Sequence, residues 1–364
     1  MKPVMILCSL VAAMALWAGR PTAAAAAASD FCSGEQLAVG ANWSVCWEVR
    51  ANEGLVISDA FYTKPGMDRR VLSGASVAQI FVAYEPGQPR YHDVAYGLGP
   101  AMQRLPAAAC HGTLLLGGKV CREVEEMGLA EFFCSEGNCH STLGQALVLW
   151  SASQMGGYNY VTRWEFHADG TIEPGIGMAG VLQFGPTPHT HNVYWRLDMD
   201  MDDADNDRVE EFYRIVPATS DGRAGASGWN PLLAETFRSN DLNTFRRWRI
   251  TDTVRKNANG TPIGYVLLPN ASDGNYRTVP EEGYTRGEFF VTRAHDNERF
   301  VSTDTSDLLS TYLNGESVEA TDLVLWYVAH EHHQPRDEDV PYMPSMWVNF
   351  DLVPAGFFDK NPLD

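Results

Sequence analysis

Basic residues are scarce in this chain of 364 residues: 27 lysines and arginines face 46 aspartates and glutamates, a formal charge of −19. So acidic a surface argues against nucleic acid or anionic membrane as partner and favours cationic ligands, an attraction that salt screens. Helical periodicity is also scarce, and "NPLLAETFRS" (230–239) is the best short helix candidate. No internal repeat, low-complexity linker or shift of composition marks a domain boundary. Beyond the N-terminal segment, no apolar run approaches the roughly 20 residues of a membrane span. No CxxC pair offers the usual spacing of a zinc or redox motif.

The one apolar run opens the chain. Lys2 precedes "VMILCSLVAAMALWA", and Arg20-Pro21 leads into an alanine tract ending near Ala28. A charged start, a hydrophobic segment and small residues at a cleavage position read as a secretory signal peptide, residues 1–28. Its removal leaves a soluble, exported domain of residues 29–364 and takes the net charge from −19 to −21, because Lys2 and Arg20 go with it. Cys32, Cys46, Cys110, Cys121, Cys134 and Cys139 remain. An even count in an exported chain reads as disulfides, with zinc as the rival for the last four. Short runs rich in β-branched and aromatic residues fill the rest, among them "NYVTRWEFH", "HNVYWRLDMDMD" and "DLVLWYVAHEHH". Asp169-Gly170 between two such runs predicts a two-residue hairpin. Many strands over about 300 residues predict an all-β fold, a large β-sandwich.

Two clusters carry chemistry. His189 and His191 lie two apart on a strand and so share a face, and "HEHHQPRDED" adds His330, His332 and His333 at the end of another. Three imidazoles suit copper or zinc. Asp198 and Asp200 likewise share a face, and Asp322 opens the strand that leads to His333. Three carboxylates suit a hard cation, calcium or manganese; a solvated acidic strand face is the rival. Tyr158 and Tyr160, also two apart, raise a separate question, since parity alone cannot distinguish them.

Several long stretches, in order, resemble the catalytic β-sandwich domain of the copper amine oxidases: "EGLVISDAFY", "YNYVTRWEFHADGTIE", "HTHNVYWRLDMDMD", "NGTPIGYVLLP", "TDLVLWYVAHEHHQPRDEDVPYMP" and "AGFFDKNP". The resemblance spans about Cys46 to Asp364, without the smaller N-terminal domains of longer members. It implies copper at His189, His191 and His333, the last standing three residues before Arg336 in an H-x-x-R-x-E-D pattern, with His332 on the opposite strand face. It implies a second, calcium-type site at Asp198, Asp200 and Asp322 with the carbonyls of Met199 and Leu323. Asp93 in "YHDVAYGLG" resembles the catalytic base, and Tyr84 the tyrosine that hydrogen-bonds the cofactor. Counting back from Trp164 makes Tyr158 the tyrosine that copper and dioxygen convert to topaquinone, and Tyr160 its packing neighbour. The resemblance also implies a Cys110–Cys134 disulfide, with Cys121–Cys139 and Cys32–Cys46 as the remaining pairs.

The activity so implied is oxidation of a small primary amine by dioxygen, giving aldehyde, ammonia and hydrogen peroxide; the family's dimers imply a homodimer. Gly157 stands where the family has asparagine, and Asn159 where it has aspartate or glutamate. The match around Asp93 needs a one-residue deletion. These departures keep open a copper-binding relative that forms no quinone.

Overall fold

The computed structural model describes residues 27–84, 89–214, 227–240, 246–270 and 279–364; the expected signal peptide lies almost wholly outside them. Eight strands frame the site: β1 (Gly74–Tyr84), β2 (Val120–Ser135), β3 (Asn138–Met155), β4 (Tyr158–His167), β5 (Ile172–Gly180), β6 (His189–Asp198), β7 (Leu323–His333) and β8 (Met343–Pro354). They fall into two antiparallel sheets. β1, β6 and β7 are neighbours in a ten-stranded sheet, and β8, β5, β4, β3 and β2 are neighbours in an eleven-stranded one.

The two sheets bury different sequence patterns. In β4, Tyr158, Tyr160, Trp164 and Phe166 point into the core while Asn159, Val161 and Arg163 are part-exposed, the period-2 signature of a strand with one covered face. In β6 and β7 burial is nearly continuous, because a second set of apolar residues, including Tyr284, Val301 and Leu309, covers the back of that sheet. Between the sheets, Trp164 of β4 meets Trp195 of β6 edge-on at 5.1 Å, and both are fully buried.

Three local expectations need correction. The β4–β5 hairpin forms, but its loop has three residues: the His167 N–H donates to the Thr171 carbonyl at 2.8 Å and the Gly170 N–H to the His167 carbonyl at 2.9 Å. Gly170, at φ +93°, takes the left-handed position that closes this longer turn. The helix expected over 230–239 is absent: Ser227–Pro231 and Thr236–Ser239 are strands. Glu235 between them accepts backbone N–H groups of Arg293, Asn314, Gly315 and Glu316, so long-range contacts override a weak helical preference.

The disulfides are Cys32–Cys46, as expected, but Cys110–Cys121 and Cys134–Cys139 rather than Cys110–Cys134 and Cys121–Cys139. Hairpin register decides this. Cys134 and Cys139 stand directly opposite across the β2–β3 tip, whereas Cys121 lies 13 residues earlier on β2, about 40 Å away along an extended strand. Cys110 lies just ahead of the short strand Thr113–Leu115, which pairs with Cys121 and its neighbours.

Trp164→Ala would leave a large void between the sheets and is expected to cost roughly 3–5 kcal/mol, read as a lowered denaturant midpoint. A loss below 1 kcal/mol would show that this inter-sheet contact is not central to the core.

Candidate active site

Strand register assembles the site. Tyr84, His189 and His333 stand directly opposite one another across β1, β6 and β7, and His191 follows two residues on along the same face. From the facing sheet, β4 brings Tyr158, whose hydroxyl oxygen lies 2.6 Å from His189 Nε2 and 3.1 Å from His333 Nδ1. The His191 ring sits 4.9 Å from the Tyr158 ring.

The other nitrogen of each imidazole is already committed. His189 Nδ1 lies 2.8 Å from the Thr187 carbonyl and must donate to it. His333 Nε2 lies 3.0 Å from Asp339 Oδ2 and must donate likewise. The Tyr160 hydroxyl donates to Asp93 Oδ2 at 2.6 Å, so its oxygen accepts from His191 Nδ1 at 3.3 Å. Lone pairs therefore remain on His189 Nε2, His333 Nδ1 and His191 Nε2, and the last is buried without a partner. Burial lowers the His189 pKa to about 4, and burial with neighbouring His189 holds His191 well below the ordinary histidine range. Imidazole nitrogens on one phenol, with a third unpartnered beside it, are donors of the type a borderline metal ion takes, and each ring is oriented by an outer partner. His332 and His330 stay outside this set: His332 Nδ1 lies 3.1 Å from Thr190 Oγ1, and His330 Nδ1 lies 2.7 Å from Asn192 Oδ1.

Tyr160 is more than a packing neighbour of Tyr158. It links Asp93 to His191, a role that the shared strand face allowed but that no local motif specified. Asp93 is buried on a single helical turn, Asp93–Tyr96, whose Val94 N–H donates to Gln79 Oε1 at 3.0 Å. Burial raises the Asp93 pKa to about 6 even though Tyr160 and His92 oppose the shift. Tyr84 stacks on His189 at 4.4 Å. A cavity of about 270 Å³ opens beside these groups, lined by Tyr84, Tyr91, Asp93, Tyr96, Tyr158 and Tyr160 among others.

Gly157 does not loosen this corner. A Cβ there would stand 2.5 Å from the Val181 carbonyl, and the Gly157 N–H donates to Gln183 Oε1 at 2.6 Å. The chain beyond β5 closes over it, and only glycine fits that approach.

Asp198, Asp200 and Asp322 form a second cluster at the far end of β6, with carboxylate oxygens within 4.8 Å of one another. Nine residues of extended strand separate it from His189, about 30 Å. Burial, then the Asp198 carboxylate, raises Asp200 to about 7 and Asp322 to about 6. Arg70 and Arg196 supply two positive charges, at 3.0 Å from Asp200 and Asp198. Met199 and Leu323 are buried alongside. Sequence reasoning missed Asp207, buried near the same cluster with both carboxylate oxygens unpartnered.

The family model for the copper amine oxidase enzyme domain matches residues 130–363. The chain belongs to the copper amine oxidase family. Within that family, primary amine oxidase 1 of Arabidopsis thaliana is 27% identical over 400 residues, covering 89% of this chain and 61% of that protein. Histamine oxidase of Arthrobacter globiformis is 26% identical over 380 residues, covering 87% of this chain and 55% of that protein. The chain thus spans little more than half the length of the curated relatives it matches. The same sandwich occurs in a copper-containing benzylamine oxidase from Hansenula polymorpha, at a TM-score of 0.77 and 18% identity over 91% of this chain and 62% of that one.

Asp339 fixes the ring of His333, so Asp339→Asn is expected to weaken Cu²⁺ binding by about 10–100-fold, measured by chelator competition. Unchanged affinity would remove Asp339 from the account.

Proposed function

We infer that this chain is an exported oxidase of small primary amines, with copper at His189, His191 and His333 and Tyr158 as precursor of its quinone. The observation that carries this is the pair of imidazole nitrogens, of His189 and His333, on the Tyr158 hydroxyl, with His191 Nε2 buried and unpartnered beside the same ring. When present, copper and topaquinone supply the redox chemistry and the electrophile that captures the amine.

The chain's own groups do the rest. Asp93 is the one carboxylate among the described residues that line the cavity, and it takes the proton from the carbon next to the amine nitrogen. Its burial raises its proton affinity towards neutral pH, where a base is both free and strong enough. The Tyr160 hydroxyl holds Asp93 in place and stabilises its charged form. Tyr84, by stacking on His189, keeps that ring facing Tyr158. Aromatic walls and the Asp93 carboxylate suit a small amine with an apolar body.

The disulfides and the signal-like composition of residues 1–28 support export. The acid cluster at Asp198, Asp200 and Asp322, with the Met199 and Leu323 carbonyls, suits calcium or manganese. A homodimer is the expected assembly, and exposed Leu129, Phe132, Phe133 and Leu143 on the β2–β3 hairpin give it apolar surface.

Peptide mass spectrometry across Tyr158, on protein loaded with copper in air, tests the reading. Gain of oxygen at Tyr158, and its loss with amine turnover in Tyr158→Phe, are expected. Bound copper with an unmodified Tyr158 and no amine turnover would instead identify a copper-binding relative that forms no quinone.

Asp93→Asn is expected to lower kcat by about 10²–10⁴-fold. Because the base must be deprotonated, kcat/KM of the intact enzyme should fall as pH drops through about 6. Tyr160→Phe removes a hydrogen bond to the carboxylate and should move that limb to higher pH. A limb that stays in place would contradict the assignment of Asp93.

A further inference from the structure

At the other end of β4, on the outer face of the same sheet, three side chains meet that the amine chemistry does not use. Glu165 and His167 lie two apart on β4, and Glu173 stands opposite Glu165 on β5. Seven residues of extended strand separate Glu165 from Tyr158, about 23 Å. One oxygen or nitrogen of each of the three lies within 4.8 Å of the others. His167 Nε2 is 3.8 Å from Glu165 Oε2 and 3.7 Å from Glu173 Oε2.

Those separations are too long for hydrogen bonds. They are within a few tenths of an ångström of the roughly 3.3–3.6 Å between ligand atoms around an ion with bonds of about 2.0–2.2 Å. Glu165 is only 9% exposed, and both its Oε2 and His167 Nε2 are buried without a hydrogen-bond partner. Buried polar atoms of this kind call for a ligand or carry a penalty.

Each carboxylate is also held from behind. Arg163 Nε donates to the second oxygen of Glu165, Oε1, at 2.6 Å, and Asn349 Nδ2 of β8 donates to Glu173 Oε1. Both leave Oε2 turned towards His167. The His167 backbone is fixed in turn, its N–H bound to Thr171 and its carbonyl accepting from Trp43 Nε1 at 2.7 Å. Asp351, also on β8, is near enough to add negative field to Glu173 and His167. Two carboxylate oxygens, each braced by an outer partner, and an imidazole nitrogen on a fixed backbone match a borderline divalent ion; the imidazole and the short oxygen count disfavour calcium.

We propose that Glu165, His167 and Glu173 form a zinc-class divalent metal site, separate from the histidine cluster at Tyr158 and serving to pin the β4–β5 hairpin to β8.

The test is zinc counting by mass spectrometry after equilibrium dialysis of the full mature chain, first given no more than one equivalent of copper. One more zinc per chain is expected in the unaltered protein than in His167→Gln or Glu173→Gln, with copper content equal in all three. Zinc should also raise the melting temperature of the unaltered protein and not of the variants. Arg163→Ala, which keeps every ligand, should weaken zinc binding by about 10–100-fold. Glu173→Gln, close in shape, decides the matter if His167→Gln does not fold. Repeating the comparison in a His189→Ala, His191→Ala background keeps the result independent of the copper site. Equal zinc in the unaltered and Glu173→Gln proteins, with no zinc-dependent gain in melting temperature, would overturn the proposal and leave a cluster held by a proton on His167.

Discussion

Three imidazoles can aim their lone pairs at one point only if their remaining nitrogens are held elsewhere. The Thr187 carbonyl, the Tyr160 oxygen and the Asp339 carboxylate do this for His189, His191 and His333. The Tyr158 hydroxyl has a single proton, so it can satisfy only one of the two ring nitrogens that contact it, and His191 Nε2 has no partner. An unsatisfied buried acceptor costs about 1–3 kcal/mol, and a bound cation relieves that cost. The fold therefore leaves unmet acceptors beside the phenol, which the copper site proposed for Tyr158 would use.

The sandwich makes this arrangement possible because its two sheets contribute different parts. Antiparallel register puts Tyr84, His189 and His333 in one row, while the opposing sheet carries Tyr158 and Tyr160 on consecutive inward positions. Tyr160 then joins the metal side to the base side, since it touches both His191 and Asp93. A change at Tyr160 would thus be felt at two places at once.

Period-2 patterning made much of this legible in the sequence. The pairing of His189 with His191 follows from strand geometry alone, and it is the family resemblance, through its spacing to Trp164, that separates Tyr158 from Tyr160. What stayed hidden depends on long-range neighbours. The role of Tyr160 rests on Asp93, 67 residues away. Gly157 departs from the family's asparagine, and the reason for it is the Val181 carbonyl, which the sequence does not place there. Cys32–Cys46 forms as expected, whereas the other two pairs differ because the register of the long β2–β3 hairpin decides them. The segment 230–239 was misread because Glu235 is held by four distant N–H groups.

Anomalous diffraction at the copper edge, from crystals of the copper-loaded protein, bears most directly on the central claim. A strong peak is expected within bonding distance of His189 Nε2, His191 Nε2 and His333 Nδ1, with Thr187, Tyr160 and Asp339 still bound to the opposite nitrogens. Copper held through His189 Nδ1 or His333 Nε2, or located away from these three rings, would contradict it.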